Sequence, residues 1–223
     1  MVYYNLKVMV TLKKDIPYEN TYQVISDYIA YAMLKDDVYK KMHEENMYKL
    51  YNFCSFYPFE KEGVYIKGRI YSFDIKFINI EFAMKMKQLL MITNNDNFKV
   101  IMCNIQTNEY RKITKLITLT PCILTTSKGD YKIDGDIKLV KERILSGIQK
   151  KYKQIYNTDM HVDFIKEIKQ TNKKPIKLPY KNIYFLGNKF EIYVKEDEDS
   201  QRLAHIALST GILEKNSQGY RIL

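Results

Sequence analysis

Apolar and polar residues alternate at the start of the chain, between Val2 and Leu12. A period of two residues is typical of a strand with one buried face. From about Asn20 onwards the apolar residues recur at helical spacing instead, at Tyr22, Ile25, Ile29, Ala32 and Met33. This change of period predicts a strand followed by an amphipathic helix. Tyr28 lies at the edge of the apolar stripe, where we expect its phenol to reach solvent.

Two more strands, a second helix and a further strand follow in the first half of the chain. Residues 50–56 and 64–77 are rich in aromatic and aliphatic residues, and a turn that contains Pro58 separates them. Residues 81–92 have a helical composition, and residues 98–105 are strand-like. The order β-α-β-β-α-β is that of a ferredoxin-like domain. With two helices on one face of the sheet, the other face is open to a partner.

The second half of the chain repeats this order. Strand-forming residues precede a helix predicted over residues 137–156, and another helix is predicted over residues 200–210, before a short last strand. Between the helices, residues 183–186 and 190–194 flank Gly187-Asn188. Two strand-like runs around such a dipeptide predict a hairpin.

Two such sets predict an α+β protein with two tandem ferredoxin-like domains, residues 1–109 and residues 110–223. The N-terminus lacks the long apolar segment of a signal peptide, and no apolar run approaches membrane-spanning length. Cys54, Cys103 and Cys122 lack the spacing of zinc ligands, which indicates buried free thiols in a reducing compartment. We therefore expect a soluble, cytoplasmic protein with no metal, no cofactor and no membrane partner.

The composition points to an anionic partner. The net charge is +10, and the chain contains 20 tyrosines and 10 phenylalanines. A net positive charge of this size favours nucleic acid as the partner first and a membrane surface second. The aromatic rings can stack on the bases of single-stranded RNA. Some soluble proteins are simply basic, so charge alone leaves the partner open.

A glycine-rich segment, residues 211–221, stands near the end of the chain. Gly211 and Gly219 permit positive φ angles, and Lys215, Asn216 and Ser217 lie between them. Ammonium, amide, hydroxyl and main-chain N–H donors together suit a phosphate backbone. On spacing alone, an ordinary turn between a helix and a last strand is the simpler interpretation.

Two segments of the first half also contain recognisable sequence motifs. His43 precedes the run Tyr48-Lys49-Leu50-Tyr51-Asn52-Phe53-Cys54-Ser55, and Pro58 leads to the strand Lys67-Gly68-Arg69-Ile70-Tyr71-Ser72-Phe73. Together with the glycine-rich segment, these motifs resemble those of the CRISPR-associated repeat-processing endoribonucleases, the sixth Cas protein family of the RAMP superfamily of RNA-binding proteins. The resemblance implies that the partner is CRISPR repeat RNA, as precursor transcript and as guide RNA.

The resemblance also implies which residues contact RNA. In the glycine-rich segment Tyr220 matches the family as well, whereas Leu213 and Arg221 occupy positions where the family usually has glycine. The expected RNA-binding residues are Lys67, Arg69, Lys173, Lys174, Lys177, Gly211, Lys215, Asn216, Ser217, Gly219 and Arg221.

Three further residues match the family's catalytic set. Family members pair the histidine with a tyrosine of the preceding helix and with a lysine six residues after the histidine, which here are Tyr28, His43 and Lys49. Tyr31, one helical turn later, competes with Tyr28. The implied reaction is attack of the RNA 2′-OH on the adjacent phosphate, which leaves a 2′,3′-cyclic phosphate and a 5′-hydroxyl without a metal ion. Such a reaction needs a base, an acid and a cation.

We expect Tyr28 to act as base or to orient the 2′-OH, His43 to act as general acid, and Lys49 to stabilise the transition state. The roles of Tyr28 and His43 can also be exchanged, because histidine titrates near neutrality. Two other functions stay open: a non-catalytic RAMP subunit that binds RNA and scaffolds a CRISPR effector complex, and a ferredoxin-like protein without an RNA role. A homodimer or association with an effector complex is compatible with each RNA-binding alternative.

Overall fold

The computed structural model describes residues 1–45, 47–126, 129–130, 136–180 and 183–213. Their contacts divide the chain into two units, one of residues 2–108 and one of the described residues from Glu109 onwards. Across the described ranges, every helix is too short or too polar to span a membrane.

The first unit has four main strands and three helices. Its elements in chain order are β1 (Val2–Leu12), β2 (Ile16–Pro17), α1 (Tyr18–Met33), α2 (Asp37–Glu44), β3 (Tyr51–Phe53), β4 (Val64–Tyr65), β5 (Ile70–Phe77), α3 (Ile80–Ile92) and β6 (Phe98–Glu109). The sheet order is β3-β5-β1-β6, with β5 antiparallel to both β1 and β3. Apart from α2 and the short β2–β4 pair, this is the ferredoxin-like order predicted from the sequence.

The core of the first unit lies between its main sheet and two helices. Leu6, Val8 and Val10 of β1 are buried, whereas Lys7 between them is exposed, which confirms the predicted period of two. Ile29 and other apolar residues of α1 join α3, β1 and β5 in one cluster. Full burial of each aliphatic side chain of this kind contributes about 1.5–3 kcal/mol.

The second unit contains ten short and long elements among the described residues. In chain order they are β7 (Lys115–Ile117), β8 (Cys122–Ile123), β9 (Thr125–Thr126), β10 (Gly129–Asp130), α4 (Ile137–Tyr156), β11 (Ile165–Gln170), β12 (Ile176–Tyr180), β13 (Ile183–Asn188), β14 (Phe190–Val194) and α5 (Glu198–Thr210). They form sheets β11-β14-β7, β12-β13-β8 and β10-β9. The first of these sheets, with α4 and α5, supplies five elements of a second ferredoxin-like set. The predicted last strand lies outside the described residues.

The hairpin predicted around Gly187-Asn188 is wrong. β13 pairs with β12 and β8, whereas β14 pairs with β11 and β7, so the chain passes from one sheet to another at this point. Gly187 serves close packing, because a Cβ atom there would lie 2.9 Å from both Leu178 Cδ1 and Pro121 Cβ. A glycine pattern typical of a turn therefore marks close contact between strands.

The thiols follow the prediction in part. Cys103 and Cys122 are buried free thiols, as expected. Cys54 is half-buried, and its sulfur accepts the main-chain N–H of Asp74 at 3.1 Å.

Candidate functional site

Tyr28 is a core residue of the first unit. Only 2% of the residue is exposed, and its hydroxyl donates to the main-chain oxygens of Leu90 and, at 3.1 Å, Thr93. Burial raises the pKa of Tyr28 above its ordinary value, and the nearby Cys103 thiol adds to this effect. The expectation that the phenol reaches solvent is therefore wrong, because the end of α3 covers it. The contact satisfies carbonyls at a helix end, where intrahelical partners are missing.

Tyr31 has the exposure that Tyr28 lacks. It is 53% exposed and lines an open cleft of about 520 Å³, whose wall also includes Tyr28, Asp27, Lys13, Lys14 and residues 94–97. Lys13 holds the cleft wall in place, because its Nζ donates to the main-chain oxygen of Asn95 at 2.6 Å. The cleft lining combines two lysines, three amides and the carboxylates of Asp27 and Asp96, so the exposed phenol of Tyr31 lies among groups that can hydrogen-bond a ligand.

His43 belongs to α2, a helix that the sequence pattern did not predict. The Asp36 carboxylate accepts the N–H groups of Val38 and Tyr39 and so caps this helix. The same carboxylate lies 2.6 Å from Lys85 Nζ on α3, and that hydrogen bond lowers the pKa of Asp36. These contacts fix the start of α2 to α3. The side chain of His43 lies outside the described part of the structure.

A stacked ring pair adds a second connection between α2 and α3. The Tyr39 and Phe82 rings are 4.8 Å apart and nearly parallel, with 10° between their planes. Such pairs contribute about 0.5–1.5 kcal/mol beyond their buried area. Asp36, a residue type favoured at helix N-caps, is the sequence signal from which this helix could have been predicted.

Lys49 lies two residues before the edge strand β3 and is half-buried. Burial lowers the pKa of Lys49. The next residue, Leu50, has φ = 47°, a left-handed conformation that is uncommon for residues other than glycine. Tyr51 and Phe53 of β3 are buried immediately afterwards. The buried strand therefore holds a strained backbone position beside Lys49, and such positions concentrate at functional sites.

Lys67 and Arg69 flank a tight turn at Gly68, whose φ is 80°. Lys67 is exposed. Arg69 pairs with the Glu60 carboxylate at 2.9 Å, and Tyr71 donates to the same carboxylate. Glu60 therefore offsets part of the charge that Arg69 presents to a ligand, and Lys67 is the more available cation of the two.

Lys173, Lys174 and Lys177 are exposed where the chain enters the ribbon of β12 and β13. Asn172 holds this entry, because its amide nitrogen donates to the main-chain oxygen of Lys174 at 2.7 Å and its oxygen accepts the N–H of Lys189 at 2.6 Å. The lysines therefore project from an ordered part of the second unit.

An aromatic residue shares the ribbon face with one of these lysines. Lys177 lies opposite Leu186 in the register of the two strands, and Tyr184 is two residues from Leu186. Residues two apart on a strand point to the same face. Tyr184 is 67% exposed, and the sequence reasoning missed it because it lies within the aromatic run Tyr184-Phe185.

Gly211 ends α5 with φ = 81° and ψ = 167°, a backbone conformation essentially restricted to glycine. Ile212 and Leu213 are buried after it. Leu213 has φ = 54°, so the residue that stands in place of the expected glycine keeps a conformation that glycine favours. The other predicted members of the glycine-rich segment lie outside the described residues: Lys215, Asn216, Ser217, Gly219, Tyr220 and Arg221.

Comparison with known proteins identifies the family. A family model described as "CRISPR associated protein Cas6, C-terminal" matches residues 102–222, more than half of the chain. The protein belongs to the Cas6 family. The resemblance found in the sequence motifs is thereby confirmed. CRISPR-associated endoribonuclease Cas6 2 of Methanocaldococcus jannaschii is 26% identical over 165 residues, a match that covers 69% of this chain and 66% of that relative, just under two thirds of its length.

Two solved structures share the fold of this chain. One, titled "CRISPR associated protein Cas6", has a TM-score of 0.71 at 19% identity and covers 99% of this Cas6 chain and 98% of its own. Another, titled "An RAMP protein binding different RNA substrates", has a TM-score of 0.73 at 14% identity, with 98% of both chains covered. These likenesses confirm the predicted α+β fold of tandem ferredoxin-like domains.

Proposed function

We propose that this Cas6 protein is an endoribonuclease that cleaves CRISPR precursor RNA within its repeats to give guide RNAs. The observation that carries the proposal is the family match over more than half of the chain. The Methanocaldococcus jannaschii relative is named as an endoribonuclease, and a structural neighbour of similar fold is described as binding different RNA substrates.

The proposed reaction is in-line attack of the 2′-OH on the adjacent phosphate. His43 protonates the leaving 5′-oxygen, and Lys49 stabilises the negative charge that develops on the phosphate. Partial burial supports this role of Lys49, because a cation screened by less water interacts more strongly with the transition state. The products are a 2′,3′-cyclic phosphate and a 5′-hydroxyl, and no metal ion takes part.

The family resemblance and the exposure of the side chains favour different tyrosines for the catalytic set. The resemblance favours Tyr28, but a phenol that donates to two carbonyls and has a raised pKa is poorly suited to orient or deprotonate a ribose hydroxyl. Both tyrosines line the cleft that contains Lys13 and Lys14, but Tyr31 is 53% exposed and Tyr28 only 2%. We therefore assign the orientation of the 2′-OH to Tyr31 and a structural role to Tyr28.

The RNA path follows from exposure and charge. We assign RNA contacts to Lys67 and Arg69 in the first unit, and to the ribbon lysines and Tyr184 in the second. The glycine-rich segment supplies main-chain N–H groups and polar side chains for the phosphate backbone. Lysines with an exposed aromatic ring suit single-stranded RNA, since cations contact phosphates and rings stack on bases.

The test is cleavage of a repeat RNA in excess EDTA. Wild type should cut, and His43→Ala should slow cutting by about 10²–10⁴-fold, the usual contribution of a general acid. His161→Ala, at an exposed histidine of the second unit, is the matched control and should cut normally. A 2′-deoxy substitution at the cut site should abolish cutting but not binding.

The same assay separates the two tyrosines. Tyr31→Phe should slow cutting, whereas Tyr28→Phe should leave the rate within a few-fold of wild type. The reverse order would return the role to Tyr28. A wild type that binds the repeat without cutting it would support the other candidate, a non-catalytic RAMP subunit.

A further inference from the structure

Lys151 is a buried lysine in the second unit that no catalytic or RNA-binding assignment uses. It lies on α4, and only 3% of the residue is exposed. Lysines are almost never fully buried unless they are paired, because the charged group loses its hydration. Its partners therefore indicate why this position carries an amine.

The partners of Lys151 lie where α5 ends. Its Nζ is 3.1 Å from the main-chain oxygen of Thr210 and 2.7 Å from that of Gly211. The last carbonyls of a helix have no intrahelical N–H donor and carry the negative end of the helix dipole, so an amine donor satisfies them. Gly211 is also the first residue of the glycine-rich segment.

Three features fix the direction in which the chain leaves α5. Gly211 adopts its glycine-specific backbone conformation, and Ile212 and Leu213 anchor the next residues in the core. Lys151 binds the carbonyl of Gly211 itself and that of the residue before it. These two hydrogen bonds tie α4 to the end of α5.

The surroundings of Lys151 keep this contact in either protonation state. Burial lowers the pKa of Lys151 to about 7, while the Cys122 thiol of β8 acts in the opposite direction. From α5 the amine faces the two main-chain oxygens. A neutral amine still has two N–H donors, enough for the carbonyl oxygens of Thr210 and Gly211.

We propose that Lys151 is a positioning residue that fixes the start of the glycine-rich segment and thereby sets the affinity of that segment for RNA. The RNA part rests on the proposed function. Because Lys151 is buried, it acts through Gly211 and does not touch RNA. The claim that Lys151 fixes the start of the segment does not depend on RNA, and it has its own measurement.

The first measurement is hydrogen exchange of the RNA-free protein. Lys151→Met keeps the length and apolar stem of the side chain but removes both donors. Exchange of the amides of residues 211–213 should become at least tenfold faster in this variant, whereas Lys150→Met, at the exposed neighbour on α4, should leave it unchanged. Unchanged exchange in Lys151→Met overturns the proposal, whatever the protein does with RNA.

The second measurement is the affinity for a repeat RNA with a 2′-deoxy cut site. Lys151→Met and Lys215→Ala should each weaken binding about tenfold, and the double variant should be little weaker than either, because both act on one segment. Lys151→Gln, which keeps an N–H donor, should recover part of the affinity. Independent, multiplying losses would show a general structural role and refute the positioning role.

The two failures are distinguishable. A wild type that binds no repeat RNA contradicts the proposed function, and the exchange experiment still decides whether Lys151 fixes the segment. If Lys151→Met exchanges faster but binds RNA normally, then the position of the segment does not set its affinity for RNA.

Discussion

Replacement of Lys151 by methionine should change the pH dependence of stability in a direction set by the structure. The pKa of this lysine is lowered from 10.5 to about 7 in the folded protein, chiefly by burial. Between these values the unfolded chain holds a proton that the folded chain has released. Stability therefore rises with pH across this window, and below pH 7, where both states are protonated, the dependence disappears.

The size of the effect follows from the two pKa values. One pH unit inside the window corresponds to about 1.4 kcal/mol, so the wild type should gain about 2.5 kcal/mol of unfolding free energy from this group between pH 6 and pH 9. Lys151→Met has no such group. Its stability relative to wild type should therefore be greatest at pH 6 and should fall by the same amount by pH 9.

The assay is urea unfolding of both proteins at several values between pH 6 and pH 9. Every other titrating group is common to the two proteins, so the difference between their unfolding free energies isolates Lys151. Because the chain has two units, hydrogen exchange of α4 amides assigns the transition that contains this residue. A difference that stays constant within about 0.5 kcal/mol, well inside the expected change, would refute the buried, pH-sensitive amine.

Four other positions give predictions that follow as directly from the structure. Gly187→Ala should destabilise the protein by about 1–3 kcal/mol in urea unfolding, because the added methyl meets Pro121 and a main-chain oxygen; an unchanged midpoint would contradict this. Gln201→Leu should cost about 3 kcal/mol in the same assay, since the amide bonds Tyr110, both main-chain groups of Ile113 and the oxygen of Lys195; a loss under 1 kcal/mol would count against it. Tyr184→Ala should weaken binding of single-stranded repeat RNA by about 1–3 kcal/mol with little change in salt dependence. Lys177→Ala should instead reduce the salt slope by about one phosphate contact, and identical salt slopes would contradict that difference.

The elements that the sequence predicted well are those whose pattern is local. The alternation in β1 and the apolar stripe of α1 needed no knowledge of partners, because one buried face dictates the period. α2 escaped prediction because its apolar content is small and Val38 is 70% exposed. The helix is held by its Asp36 cap and by contacts with α3, which lies far along the chain.

Sequence reasoning could name candidate site residues but not the contacts that surround them. Spacing could not distinguish Tyr28 from Tyr31, because the end of α3 decides which phenol is covered. The Gly187-Asn188 pattern could not show that β13 and β14 join different sheets. In both cases the deciding information is a contact between residues distant in sequence, which no local period contains.

Leu213 offers a test of whether a lost glycine has changed the start of the glycine-rich segment. Its φ of 54° disfavours a side chain by about 1 kcal/mol, while its burial stabilises the fold by more than that, so Leu213→Gly should still be destabilising. Leu213→Ala removes nearly the same burial but keeps the backbone penalty. The glycine variant should therefore be more stable than the alanine variant by about 1 kcal/mol in urea unfolding, the reverse of the usual order of these residues. If alanine is the more stable variant, the left-handed conformation at this position is wrong, and the loss of this glycine has altered the path of the segment.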